Sequence, residues 1–166
     1  MLITDVHTLP NISDAVETIV DIHEKYFVQR LGWGVAFKDD VREYLEELLQ
    51  HFQLTRDGLW VARTGDRIIG SIAIDGREGG PECARLRVYI VDNEHHLQGI
   101  GKRLLEQAIV FCSTNGYKRI ELWTFDNLYE AKALYTNYGF RKLKERDVEY
   151  WGCQLREQLF CLERLP

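Results

Sequence analysis

Residues 86–112, LRVYIVDNEHHLQGIGKRLLEQAIVFC, change rhythm halfway along. Up to Val91 the residues alternate: Ala84, Leu86, Val88 and Ile90 fall on one face of an extended strand, Arg85, Arg87, Tyr89 and Val91 on the other. From Leu104 the apolar residues step by three and four, through Leu105, Ala108, Ile109 and Cys112. That predicts a helix running to about Thr114 and ended by Asn115-Gly116. Between strand and helix lie Gly99 and Gly101. A glycine turn opening onto a helix offers free backbone N–H groups and the positive end of the helix dipole, and glycine lets an anion approach the backbone. Lys102 and Arg103 add positive charge beside it. The plainer alternative is a tight turn with a solvated basic pair.

Two common phosphate cradles fail on spacing. A P-loop needs glycine at position 96 and Ser or Thr after the lysine, where this chain has His96 and Arg103. A dinucleotide fingerprint needs a third glycine at position 104, which is Leu104, within an early βαβ unit.

Working outward, a short strand is expected over residues 2–7. SDAVETIVDIHEKYFVQRL then predicts a helix with Ser13 as N-cap and a stripe of Val16, Ile19, Val20, His23, Tyr26, Phe27 and Arg30. A second helix is expected from about Asp40, where Asp40 and Glu43 resemble a capping box, with Val41, Tyr44, Leu45, Leu48, Leu49 and Phe52 on one face. LWVAR and RIIGSIAI, joined by TGD, predict a hairpin, and DGREGGP a loop. After the quoted stretch come a strand RIELWTF, a helix YEAKALYTNY and closing strands GFRKLKE and LFCLERL. The order β-α-α-β-β-β-α-β-α-β-β, without repeat or linker, predicts one α/β domain over residues 1–166.

Composition narrows the function. The 166 residues are 45% hydrophobic and 28% charged, as in folded globular chains, and the formal charge of −5 supplies no broad basic surface for nucleic acid. Cys83, Cys112, Cys153 and Cys161 form no C-x-x-C pair, which argues for reduced structural thiols rather than a zinc or redox site. No signal-peptide pattern or bilayer-length apolar run stands out, so a soluble cytoplasmic protein without a membrane partner is expected.

Over residues 84–143 the pattern LRVYIVDNEHHLQGIGKRLL followed by ELWTFDNLYEAKALYTNYGF resembles the GNAT N-acetyltransferase superfamily. Its phosphate loop, Q/R-x-x-G-x-G/A, corresponds to His96 through Gly101, with histidine in the first position. Its second signature, A-x-x-L-Y before G-F, corresponds to Ala131, Leu134, Tyr135, Gly139 and Phe140. An asparagine often found seven residues before that tyrosine is replaced by Leu128, with Asn127 one place earlier. The segments ARLRVYIV, GIGKRLLEQAIVFC, GYKRIELWT and YTNYGF, with the tail EYWGCQLREQLFCLERL, are also similar to the acetyltransferase half of MarR-type regulator/GNAT fusions.

The resemblance implies a central mixed, mostly antiparallel sheet of six to seven strands, about four flanking helices and a splayed strand pair at the cofactor site. It implies acetyl-CoA as cosubstrate, no metal, and a small-molecule amine or protein lysine as acceptor. Tyr89, Ile90 and Val91 would hold pantetheine and thioester, with Asn127 and Ala131 nearby. The backbone amides of Gln98, Gly99, Ile100, Gly101, Lys102 and Arg103 would hold the pyrophosphate beside His96, and Tyr135 would protonate the departing thiolate. A homodimer through QLFCLERL is a further analogy, and a non-catalytic acyl-CoA sensor is the alternative function. Taken on its residue type alone, Tyr135 is a packed helical tyrosine.

No general base stands out among Glu121, Asp92 and a water chain. Glu94-His95-His96 is more simply a solvated loop than a metal site. His23 reads as a packing residue, and His51 suits the second helix's C-terminal dipole. Trp33, Phe37, Trp123, Tyr150 and Trp151 are candidate acceptor-site aromatics.

Overall fold

The computed structural model describes residues 1–163 and 165. Its elements are β1 (Leu2–Asp5), α1 (Ile12–His23), α2 (Ala36–Gln50), β2 (Gly58–Thr64), β3 (Arg67–Asp75), β4 (Cys83–Val91), α3 (Ile100–Thr114), β5 (Arg119–Phe125), α4 (Tyr129–Asn137), β6 (Arg141–Tyr150) and β7 (Cys153–Glu163). They form one seven-stranded sheet in the order β1-β2-β3-β4-β5-β7-β6. Every neighbouring pair is antiparallel except β4 with β5. The predicted element order and mostly antiparallel sheet are both present. The last expected strand, residues 159–165, includes Arg164, which lies outside the described residues.

The sheet is buried on both faces through its middle, so β2 and β3 supply apolar residues at successive positions. Leu59, Val61 and Ala73 pack under α1 and α2 with Ile19, Leu45 and Leu48. Trp60, Ile72 and Ile74 point the other way, against Leu104, Leu105 and Ala108 of α3.

Local starts differ from the sequence expectation for physical reasons. The cap of α1 is Asn11, not Ser13: its extended backbone lets its side chain accept the Asp14 N–H at 3.2 Å, while Ser13 already lies in the first turn. The α2 helix begins at Ala36, ahead of the Asp40 box, and has no side-chain cap. Asp40 is engaged elsewhere, accepting from the Trp151 indole Nε1 at 2.7 Å. The first strand stops at Asp5 and a 3₁₀ turn, Val6–Thr8, follows. The α1 helix also stops earlier than its stripe: after His23 the chain widens into a π-helix, Glu24–Arg30, with Leu31 N–H bonded to the Tyr26 carbonyl at 3.1 Å. All four cysteines are free thiols. No helix among the described residues is long and apolar enough to cross a membrane.

Candidate active site

The parallel strands β4 and β5 pair only at their start, through Cys83 with Arg119, Ala84 with Ile120 and Arg85 with Glu121. Beyond that they diverge. The cause lies in β4, whose register against β3 shifts between Ser71 and Ala73. Val88 there adopts φ +42°, a strained value for a β-branched residue, and its carbonyl accepts the Ser71 hydroxyl at 2.7 Å. The bulge corrects the expected alternation. Ala84 and Leu86 face α3, but past the bulge Tyr89 and Val91 face α3 while Val88 and Ile90 face α1 and α2. The opened strand edges leave backbone donors and acceptors without sheet partners, the condition under which an extended ligand can bind.

A cavity of about 700 Å³ occupies the opening. Its walls are β4 from Leu86 to Val91, β5 from Leu122 to Phe125, the start of α3, the inner face of α4, and the α1–α2 region with Trp151.

At one end α3 begins on Gly99, whose φ of +75° favours glycine and which provides no side-chain cap. The helix opens with the Arg103 N–H donating to the Gly99 carbonyl at 3.2 Å, so the amides of Ile100, Gly101 and Lys102 lack helical acceptors. A Cβ on Gly101 would lie 2.5 Å from the Tyr89 hydroxyl, so any larger residue there must displace that ring. Lys102 borders the cavity and is exposed.

Tyr135 lies deeper, 5% exposed, its ring 5.9 Å from Tyr89 and 5.7 Å from Phe140 between centroids. Burial pushes its hydroxyl well above the ordinary phenol range, with Tyr89 adding to the shift, so at neutral pH it is a proton donor. Among the described residues that hydroxyl has no hydrogen-bond partner, and the side chain borders the cavity.

The structure gathers Tyr89, Ile90, Val91, His96, Gly99, Ile100, Gly101, Lys102, Ala131 and Tyr135 around one space. His96 places Nε2 2.9 Å from the Val91 carbonyl and Nδ1 3.4 Å from Glu130, so it braces the strand-to-helix loop. Three expected contributors stand apart. Asn127 is exposed in the β5–α4 turn while Leu128 takes the wall position. Neither Gln98 nor Arg103 borders the cavity; the Gln98 side chain turns back to the Glu94 carbonyl at 3.4 Å, and the Arg103 amide, the group expected to serve, already donates to the Gly99 carbonyl at 3.2 Å.

Of the candidate bases, Glu121 pairs with Arg85 and Arg119, Asp92 pairs with Arg67, and neither lines the cavity. Asp92, Glu94 and His95 do bring ligand atoms within 4.8 Å of one another, but the Arg67 guanidinium bonds both carboxylates. His51 follows its expectation, with Nδ1 3.1 Å from the Glu47 carbonyl at the end of α2.

The opposite end is aromatic. Trp33, Phe37 and Trp151 line it, and Trp123 borders the same cavity with its ring against Lys144 and Arg146; Tyr150 does not line the cavity, its hydroxyl instead reaching Glu157 at 3.4 Å. Trp33 stacks on Trp151 at 4.8 Å and 13°, and Phe27 lies 4.6 Å from Trp33. The β6–β7 hairpin tip is docked there by the Gly34 N–H, which donates to the Trp151 carbonyl at 2.8 Å. Sequence reasoning missed Phe27 and the open side of His23, because the helical stripe that contains them has the same spacing whether it packs or lines a site.

An open parallel pair facing a helix start rich in free amides is the arrangement of a protein that receives an extended ligand with an anionic head. The Acetyltransferase (GNAT) family model matches residues 16–140, and the chain belongs to that family. It is 29% identical to human N-acetyltransferase 8B over 138 residues, covering 76% of this chain and 58% of that protein. Rat N-acetyltransferase family 8 member 3 is 33% identical over 144 residues, covering 84% and 59%. The chain thus spans somewhat under three fifths of these two relatives. An acetyltransferase from Streptococcus agalactiae shares the fold with a TM-score of 0.74, 20% identity and 98% of each chain covered. A GNAT family acetyltransferase from Elizabethkingia anophelis, crystallised with acetyl-CoA bound, matches with a TM-score of 0.59 and 22% identity over 74% of this chain and 82% of that one.

Proposed function

We propose that the protein transfers the acetyl group of acetyl-CoA to a primary amine by direct attack. The observation that carries this is the buried, unpaired hydroxyl of Tyr135 in the same cavity as the free amides at the start of α3. The names of the relatives and the acetyl-CoA in a structural neighbour support the same donor and reaction class.

The residues fit such a cosubstrate. The amides of Ile100, Gly101 and Lys102 suit a diphosphate, the opened edge of β4 from Tyr89 to Val91 suits an amide-containing arm, and backbone N–H groups on that edge can stabilise charge on a thioester oxygen. The neutral amine nitrogen bonds to the acetyl carbon, the carbon–sulfur bond breaks, and the sulfur takes the proton of the Tyr135 hydroxyl. The proton lost by nitrogen returns to the Tyr135 oxygen through water, so the enzyme ends as it began. Binding both reactants in one cavity removes the cost of bringing them together. The acceptor is a small-molecule or protein amine.

Titration calorimetry with acetyl-CoA, run beside thiol release over a broad amine panel, tests the proposal. Binding with amine-dependent release supports it. Binding without release across the panel would instead identify an acyl-CoA sensor, and absence of binding would defeat both.

A further inference from the structure

His23 sits where α1 becomes the π-helix, its side chain more than nine-tenths buried and on the cavity wall. Its ring Nδ1 lies 2.8 Å from the Ile19 carbonyl, an acceptor only, so Nδ1 carries the hydrogen and Nε2 holds a bare lone pair. Nε2 has no partner among the described residues and is not sealed off from the cavity. Burial keeps the ring neutral, lowering its pKa to about 4. Around it stand Phe27 and Phe37, with ring centroids 6.1 and 6.3 Å away, and beyond them Trp33 and Trp151. The π-helix adds an offset after His23 that a regular helix lacks, with the Trp33 N–H reaching back to the Phe27 carbonyl at 3.0 Å. The carboxylates on the cavity wall, Asp40 and Glu130, are exposed at its rim, and each already faces a partner, Trp151 and His96 respectively. A second positive charge carried into this end would be left uncompensated.

We propose that the acceptor is a primary amine carried on a flat apolar body, seated on the Phe27–Trp33–Phe37–Trp151 wall and oriented by an N–H donated to His23 Nε2. The proposal rests on the acetyltransferase reading and narrows it: polyamines and lysine side chains in polar peptides are poor acceptors. His23 acts here as a specificity-determining acceptor. The proton balance of transfer is unchanged.

The test uses the full chain, 2-phenylethylamine and tryptamine as apolar probes, spermidine and a lysine peptide as polar ones, and His23→Leu and His23→Gln variants. Amine binding is followed by tryptophan fluorescence and turnover by thiol release. The apolar amines should show kcat/KM at least about tenfold above the polar pair. His23→Leu should raise their KM about tenfold, the worth of one buried neutral hydrogen bond, with acetyl-CoA affinity unchanged. His23→Gln, which retains an acceptor oxygen, should recover most of that loss. Preference for spermidine or the lysine peptide, or an unchanged KM in His23→Leu, overturns the proposal. Apolar-amine binding that depends on His23 but yields no thiol supports the pocket while sinking the acetyltransferase reading; absence of any apolar-amine binding overturns the pocket itself.

Discussion

The two ends of the cavity are built by different means. The end at α3 is made of backbone: amides without helical acceptors, a glycine cap, a glycine under a tyrosine, and opened strand edges. The end at α1, α2 and the β6–β7 hairpin is made of side chains, the rings of Phe27, Trp33, Phe37, Phe125 and Trp151 and the His23 imidazole. Backbone groups suit a ligand whose polar atoms never vary, whereas side chains can be changed one at a time without disturbing the sheet. The contrast fits the proposed reading, in which the constant reactant takes the first end and the variable one the second.

Tyr135→Phe should have the largest effect and act on the shared chemistry alone. We expect kcat to fall about 10²–10⁴-fold, the range for loss of a positioned proton donor, with acetyl-CoA affinity nearly unchanged. Equal turnover would remove Tyr135 from the mechanism. At the aromatic end, neutral His23 makes stability sensitive to acid. Its folded pKa of about 4 lies below the ordinary 6.5, so the unfolded chain takes up a proton first. Stability is complete above pH 6.5 and falls as pH drops toward about 4, by on the order of 3 kcal/mol at most. Denaturant midpoints across that window should slope for the wild type and flatten for His23→Leu.

Gly101→Ala should act at the other end, where its Cβ would meet the Tyr89 hydroxyl at 2.5 Å. We expect about tenfold weaker acetyl-CoA binding by calorimetry, roughly the cost of a modest steric rearrangement. Tyr89→Phe in the same chain should restore part of it, because the clashing atom is then gone. Lys102→Ala should have the smallest effect. An exposed cation is worth up to about 1 kcal/mol and is screened by salt, so a few-fold loss in dilute buffer should shrink at high ionic strength.

The backbone end was legible in the sequence because its signals are local. Gly99, Gly101 and the stripe from Leu104 to Cys112 occupy one short stretch, and α3 and β5 fall where that stretch and RIELWTF place them. The first two helices were legible in kind but not in their starts, since Asn11 and Ser13 are both competent caps and only the backbone angle at Asn11 decides between them. The bulge at Val88 carried no signal, because a valine in an alternating strand gives no warning of a positive φ. Nor could periodicity show that Trp151 and Asp40, 111 residues apart, share a hydrogen bond, or that one nitrogen of His23 would be left without a partner.

The kink at Val88 has a consequence for how the chamber could be lost. With that single residue removed, β4 would resume plain alternation, and the segment now bent away could zip onto β5 rung by rung. Tyr89, then two places on from Leu86, would keep its side toward α3 and its place beside Gly101. One inserted residue therefore marks the difference between an open cleft and a continuous sheet at this point.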